Sequence, residues 1–194
     1  MVPNITFHAY SDTECTKEVD AAYAHNWPAI ATMFSQYGNA HSFALRLSDD
    51  HGRPLAAVFL KSLGSANPHQ LCFMRDLCMM LNDPKTELSA LCVYLMKYAG
   101  KSSNLKSSFK HAYQGIFKNA MDFGYYYAGL RGIFSESASQ DVLVCFDFEA
   151  YGKKILARMN VVPRPDGLLY VFDTLSVNDP LPQTQSAPLQ QAVY

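Results

Sequence analysis

Gln70–Leu81, QLCFMRDLCMML, is an apolar run whose central interruption is the charged pair Arg75 and Asp76. Its apolar content predicts a long buried β-strand. Asn82–Ser89 (NDPKTELS) breaks the run, and Glu87–Tyr98 is the clearest helix. Leu88, Leu91, Cys92, Leu95 and Met96 recur there at three- and four-residue spacing, and Gly100 stands where a helix stops. Asp83 reads as a cap and Pro84 as a first helical residue, an arrangement that needs no ligand. The same helix start, placed directly after a strand, would present unpaired amides and the positive dipole end to an anion.

Toward the N-terminus, His41–Leu47 and Leu55–Lys61 flank Ser48–Pro54 (SDDHGRP), the pattern of a β-hairpin. Phe43, Leu45 and Leu47 alternate with Ser42, Ala44 and Arg46, so this strand has one wet face. Gly64–His69 is expected to be a loop and Ile5–Tyr10 a short strand. Ser11 and Glu14 have capping-box spacing and predict a helix over Lys17–Tyr23. Trp27-Pro28 opens another, with Ile30, Met33 and Phe34 on one face. Beyond Gly100, the expectations are a helix over Tyr113–Phe123 and strands over Tyr125–Leu130, Val142–Phe148 and Leu168–Asp173. The polar, proline-bearing tail from Asn178 lacks periodicity and is expected to be mobile. Residues 1–177 thus read as a single α/β (α+β) domain with a mixed, mainly antiparallel sheet flanked by helices.

The 194 residues suffice for a real core, and 49% hydrophobic against 17% charged residues is a compact composition. A formal net charge of −1 argues against broad electrostatic binding of nucleic acid, although Lys101, Lys106, Lys110, His111 and Lys118 form a local basic run. Cys72, Cys78, Cys92 and Cys145 sit in apolar runs and, with Cys15, make an odd set that reads as reduced thiols of a cytoplasmic protein. No spacing of His, Cys or acidic residues predicts a metal site. Neither a secretory leader nor a membrane span is expected.

The predicted order of hairpin, long strand, helix, strand, helix, strand, strand resembles the GNAT acyltransferase fold over roughly Ser42–Phe148. Within that superfamily the chain is most similar to the Mom-type phage proteins that modify adenine in DNA. Arg75 and Pro84-Lys85-Thr86-Glu87-Leu88-Ser89 echo their arginine strand and the turn that follows it. Gly124-Tyr125-Tyr126-Tyr127-Ala128-Gly129 echoes their aromatic ending. The glycine-bearing cofactor loop of GNAT proteins has no counterpart, since Asn82–Ser89 contains no glycine, and Ala120 stands where their proton-donating tyrosine falls.

The resemblance implies an N-acyltransferase that uses acetyl-CoA or another acyl-CoA on an amine acceptor. The backbone of Leu77–Met80, with Leu77 and Met79, would pair with the pantetheine arm as an added strand. Lys85, Thr86 and Ser89 would hold the pyrophosphate. Asp76 is the expected base, Arg75 its catalytic neighbour and Tyr127 the expected acid, with Tyr113, Tyr125 and Tyr126 as alternatives. His69 and His111, near predicted strand ends, are further titratable groups. The glycine-free turn and Ala120 equally fit a catalytically inert phage protein that binds a host enzyme through exposed aromatics such as Tyr125–Tyr127 and Tyr151. A Mom-like DNA adenine modifier is the third expectation, though nucleic acid is the less favoured partner.

Overall fold

The structure is a computed structural model that describes residues 4–12, 15–37, 42–48, 51–60, 68–98, 104–134 and 140–173. It is mixed α and β, with two small antiparallel sheets. The chain divides into two compact units, with the boundary after Phe109.

The first unit is built on a sheet of order β2-β1-β3-β4, from β1 (Asn4–Tyr10), β2 (Glu18–Tyr23), β3 (Ser42–Ser48) and β4 (Pro54–Leu60). The N-terminal strand and the β3–β4 hairpin lie where the sequence places them. Helix α1 (Trp27–Tyr37) follows β2 and buries Ile30 and Met33. Phe34 of α1 meets Phe7 and Phe43 with ring centroids 5.1–5.2 Å apart, a three-ring core on one face of the sheet. Aromatic contacts of this kind add about 0.5–1.5 kcal/mol each beyond the area they bury.

Lys17–Tyr23 is not the expected helix. Asp12 accepts hydrogen bonds from the Thr16 amide and hydroxyl and from the Lys17 amide at 2.7–2.9 Å. The Ser11 amide donates to the Lys17 carbonyl at 2.9 Å, so the chain turns back and Glu18 enters β2 opposite Tyr10. Ser11 thus belongs to a hairpin loop, not a helix cap. Glu14, His41, Lys61, Gly100, Lys101 and the tail from Asn178 lie outside the described residues, as does most of the Gly64–His69 loop.

The largest correction concerns Gln70–Leu81, which lies in helix α2 (Pro68–Leu81). Phe73, Met74, Leu77 and Cys78 are buried, a spacing of three and four that belongs to a helix. Adjacent charges explain the outcome. A strand buried on both faces would force either Arg75 or Asp76 into the core, whereas a helix places both toward its wet side. Asn82 closes α2, its Nδ2 donating to the Cys78 carbonyl at 2.9 Å and to the His25 carbonyl at 3.0 Å. Helix α3 (Leu88–Tyr98) matches the expected segment, while α4 (Leu105–Ala112) falls outside every predicted element. Cys78 and Cys92 are buried as expected, but Cys72 and Cys145 are exposed.

The second unit carries a sheet of order β5-β7-β6, from β5 (Tyr113–Phe117), β6 (Asn160–Pro163) and β7 (Leu169–Phe172). The last strand is the one expected at Leu168–Asp173. Tyr113–Phe123 and Tyr125–Leu130 exchange roles relative to the sequence reading. Asn119 divides them: its side chain accepts from the Asp122 amide at 2.9 Å, while Asp122 accepts from the Lys118 amide at 3.0 Å. This reciprocal cap ends β5 and starts α5 (Ala120–Leu130). The expected strand at Val142–Phe148 is instead α6 (Gln140–Cys145) and the start of α7 (Phe148–Leu156), capped by Asp147.

Helices α5 and α7 cross through two glycines. A Cβ on Gly124 would collide with the Phe148 carbonyl, and one on Gly152 with the Ala120 carbonyl. The core beside the crossing is Phe117, Phe123, Tyr127 and Val171, with Tyr151, Ile155, Leu156 and Met159 against it. The Gly152→Ala substitution is therefore expected to cost on the order of 1–3 kcal/mol through overpacking against backbone. Gly129→Ala, on the same α5 with open space at its Cβ, is expected to be neutral or to gain on the order of 0.5–1 kcal/mol. Urea melts of both variants check the contrast, and equal midpoints would show that the crossing is not tight.

Candidate functional site

The residues that the sequence singled out fall in both units: Arg75, Asp76, Leu77, Met79, Lys85, Thr86 and Ser89 in the first, Tyr127 in the second. Arg75 and Asp76 are neighbours on α2, with Arg75 exposed and Asp76 half-buried. The Asp76 carboxylate accepts the Lys106 amide at 3.2 Å, in the first turn of α4, where Asn104 also accepts the Ser107 amide at 3.0 Å. Two acceptors on the opening amides of α4 are a helix cap supplied partly from a distant helix. Leu77 is fully buried, while Met79 faces outward on the same helix. The backbone of Leu77–Met80 is helical, so its amides are directed along the helix and offer no strand edge to a pantetheine arm.

Asn82–Ser89 is a turn between two helices. The Lys85 amide donates to Asp83 Oδ1 at 2.9 Å and the Thr86 amide to the Asp83 carbonyl at 3.0 Å, so two of the amides expected to face a pyrophosphate are bonded within the turn. The intrahelical ladder of α3 starts later, with Leu91 donating to the Glu87 carbonyl. Pro84 therefore precedes the helix and Asp83 caps a turn; Ser89 lies in the first turn of α3. Tyr127 belongs to the second unit and is buried in α5. Its hydroxyl accepts from Arg131 Nη2 at 2.6 Å and Nε at 3.1 Å. Of the alternative tyrosines, Tyr125 and Tyr126 are exposed on α5 and Tyr113 is half-buried in β5.

A polar constellation that the sequence reading missed lies on the first sheet. Thr6, His8 and Tyr10 alternate along β1 and share the face opposite Phe7. Register sets Arg46 of β3 beside Thr6, and Glu18 of β2 beside Tyr10. Thr6 Oγ1 lies 2.7 Å from His8 Nε2, and His8 Nδ1 lies 2.9 Å from Glu18 Oε2. The same carboxylate oxygen is 3.4 Å from Arg46 Nη1, whose guanidinium lies over the Tyr10 ring at 5.5 Å. His8 and Tyr10 are buried, whereas the Glu18 and Arg46 side chains are 40% and 47% exposed.

The proton positions follow from the partners. A carboxylate only accepts, so His8 Nδ1 carries the hydrogen that points at Glu18. Burial pushes the His8 imidazole below its ordinary 6.5, against the pull of the Glu18 hydrogen bond, with Arg46 adding a smaller push in the same direction. The neutral ring then has a bare Nε2, which accepts the Thr6 hydroxyl hydrogen. Burial likewise pushes the Tyr10 phenol up, while Arg46 works against it. The signal available in the sequence was the alternation Thr6-x-His8-x-Tyr10, legible as a polar strand face only once β2 is known to be a strand.

A second feature is the outer side of α5. Met121, Tyr125, Tyr126 and Leu130 are exposed there, with Ile133 just past the helix end; Tyr125 is 65% exposed. Tyr125 packs its ring on Phe148 at 5.2 Å, and Phe148 continues to Phe134 and Phe146 at 5.9 and 4.8 Å. Among the described residues, no group of three or more His, Cys, Asp or Glu could hold a metal ion, and no helix is long and apolar enough to cross a membrane. No protein-family model, curated protein or solved structure significantly matches the chain.

Asp76→Ala is expected to lower stability by about 1 kcal/mol through loss of the α4 cap, while Arg75→Ala stays within about 0.5 kcal/mol of wild type. Denaturant titration separates them, and equal losses would show that the Asp76 contact carries no weight. His8 gives a pH dependence. Its folded value lies below 6.5, so between the two values the unfolded chain binds the extra proton. Stability is then fully present above pH 6.5 and falls as pH drops through the lowered folded value. Urea midpoints at pH 7.5 and 5 should differ less in His8→Gln than in wild type; an unchanged difference would place the acid sensitivity elsewhere.

Proposed function

We propose that the chain is a protein-binding module that docks through the outer face of α5. The observation that carries this reading is the run of exposed large apolar side chains at Met121, Tyr125, Tyr126, Leu130 and Ile133. Exposed apolar patches on folded proteins mark interaction surfaces, and Tyr and Met are enriched where partners meet. Few charges interrupt the stretch from Ala120 to Ile133: Asp122 caps the helix start, and Arg131 is bonded to the Tyr127 hydroxyl. The fitting partner is a protein with its own apolar, aromatic surface, such as a host enzyme whose activity the contact changes.

A second reading keeps the acyl-CoA-dependent N-acyltransferase of GNAT type. It rests on the sequence resemblance alone: the expected long strand is helix α2, and the β3–β4 hairpin and β5–β7 belong to different sheets. The Mom-type variant rests on the sequence echo at Arg75 and Gly124–Gly129, and retention on DNA at low salt is its test.

One experiment separates the main readings. Wild-type chain should retain one stoichiometric partner from host lysate, and the paired substitution Tyr125→Glu, Leu130→Glu should reduce its recovery at least tenfold while the variant still melts cooperatively above the assay temperature. Lys85→Glu, on the other unit, should bind as wild type. Unchanged recovery with the paired variant would remove the docking face. Millimolar acetyl-CoA should leave the melt of the wild-type chain unmoved; an upward shift of several degrees would transfer the conclusion to the acyltransferase reading, because a ligand bound only to the folded state stabilises it.

A further inference from the structure

The first sheet holds a hydroxyl, an imidazole and a carboxylate in series, and this arrangement is separate from the α5 face, which lies in the other unit. We infer that Thr6, His8 and Glu18 form a nucleophile–base–orienter relay able to take an acyl group from an ester or thioester, with Arg46 paired to the orienting carboxylate. The inference rests on geometry. Thr6 Oγ1 is 2.7 Å from His8 Nε2, and His8 Nδ1 is 2.9 Å from Glu18 Oε2. Weak hydroxyl nucleophiles are activated by a base in hydrogen-bond reach, itself held in one tautomer by a third group. Glu18 supplies that hold. It also anchors Arg46 at 3.4 Å, which stands opposite Thr6 in the β1–β3 register while its guanidinium reaches over the Tyr10 ring.

Access comes from the same side. Thr6 is half-buried, and the Glu18 and Arg46 side chains are exposed, while His8 beneath them is buried. A buried base beside a hydroxyl that is only half-buried is the order of groups that acyl transfer requires. The step balances without a redox partner. Thr6 Oγ forms a bond to the acyl carbon as its proton passes to His8 Nε2. The bond from that carbon to the leaving oxygen or sulfur breaks, and the proton on His8 goes to the leaving group. Water then attacks the acyl-threonine, giving its proton to His8, and Thr6 leaves with that proton restored. The substrate class is therefore an acyl ester or thioester.

The test uses the full chain with p-nitrophenyl acetate as acyl donor, read by peptide mapping and by release of nitrophenol. Wild type should carry one acetyl group on Thr6, with a release rate that rises with pH through a value below 6.5. Thr6→Ser should retain the label and Thr6→Val should lose it. His8→Gln should label at least a hundredfold more slowly, in the range expected for loss of a general base, and Glu18→Gln should be intermediate. Cooperative melts of Thr6→Ser and Thr6→Val well above the assay temperature keep the comparison independent of folding. Unlabelled Thr6 in the folded wild type, acetyl confined to lysines, or equal release by wild type and His8→Gln would each overturn the inference.

Discussion

Strand β1 is hydrogen-bonded along both edges, to β2 and to β3, and this leaves its side chains only two directions. Ile5, Phe7 and Ala9 point one way and enter the core that Phe34 and Phe43 complete. Thr6, His8 and Tyr10 must then point the other way, because the period of a strand is two. A one-residue slip would drive the imidazole into the aromatic core and carry Phe7 to the polar face. The aromatic packing therefore fixes the register, and the register fixes which hydroxyl, imidazole and carboxylate meet. Candidate chemistry on one face is a geometrical consequence of burial on the other.

A different constraint governs the second unit. The glycine crossing brings α7 against the backbone of α5 at Gly124, while Phe123 and Tyr127 occupy the side of α5 that shares a core with Phe117 and Val171. A helix has a limited circumference. With one sector given to backbone contact and the next to the core, the remaining sector must take Met121, Tyr125, Tyr126 and Leu130. The tyrosines at 125 and 126 are not surplus core residues that missed their place. Tyr125 is already anchored on Phe148, which holds its ring at low conformational cost before any partner arrives.

The strands at Ile5–Tyr10 and Phe43–Leu47 were legible from their length and residue types, but the wet face expected of Ser42, Ala44 and Arg46 reduces to Arg46, since Ser42 and Ala44 are buried. Helix α3 was legible because its apolar positions keep a strict three- and four-residue spacing. Gln70–Leu81 misled because apolar residues nearly fill it, which hides the period; the discriminating signal was the adjacent pair Arg75 and Asp76, compatible with one wet helix face. Gly124–Gly129 misled through the strand preference of tyrosine. Tertiary packing at Gly124 overrides that preference, and no local pattern announces a partner glycine 28 positions later at Gly152. The roles expected of Asp76 and Tyr127 assumed strands at both places, and both residues stand in helices. The His8 relay was hidden because it joins three strands, and its carboxylate enters only after the Asp12 loop reverses the chain.

Burial of His8 has a cost that an apolar residue at this position would avoid, since desolvation disfavours its charged form and leaves two ring nitrogens to satisfy. Both nitrogens are satisfied, one by Glu18 and one by Thr6. If support of the sheet were the whole role, pairing His8 with Glu18 alone would leave Nε2 to face water or be replaced by carbon. Instead Nε2 meets a hydroxyl on the same strand face, two residues away, while Arg46 pairs with the glutamate that holds Nδ1. Removing the Thr6 hydroxyl would leave a buried acceptor unpaired, whereas removing Arg46 would leave every His8 hydrogen bond intact. The arginine is therefore the member of the cluster whose position the stability of His8 does not explain. Its partners are Glu18 and the Tyr10 ring, so it steadies the carboxylate that holds the His8 tautomer.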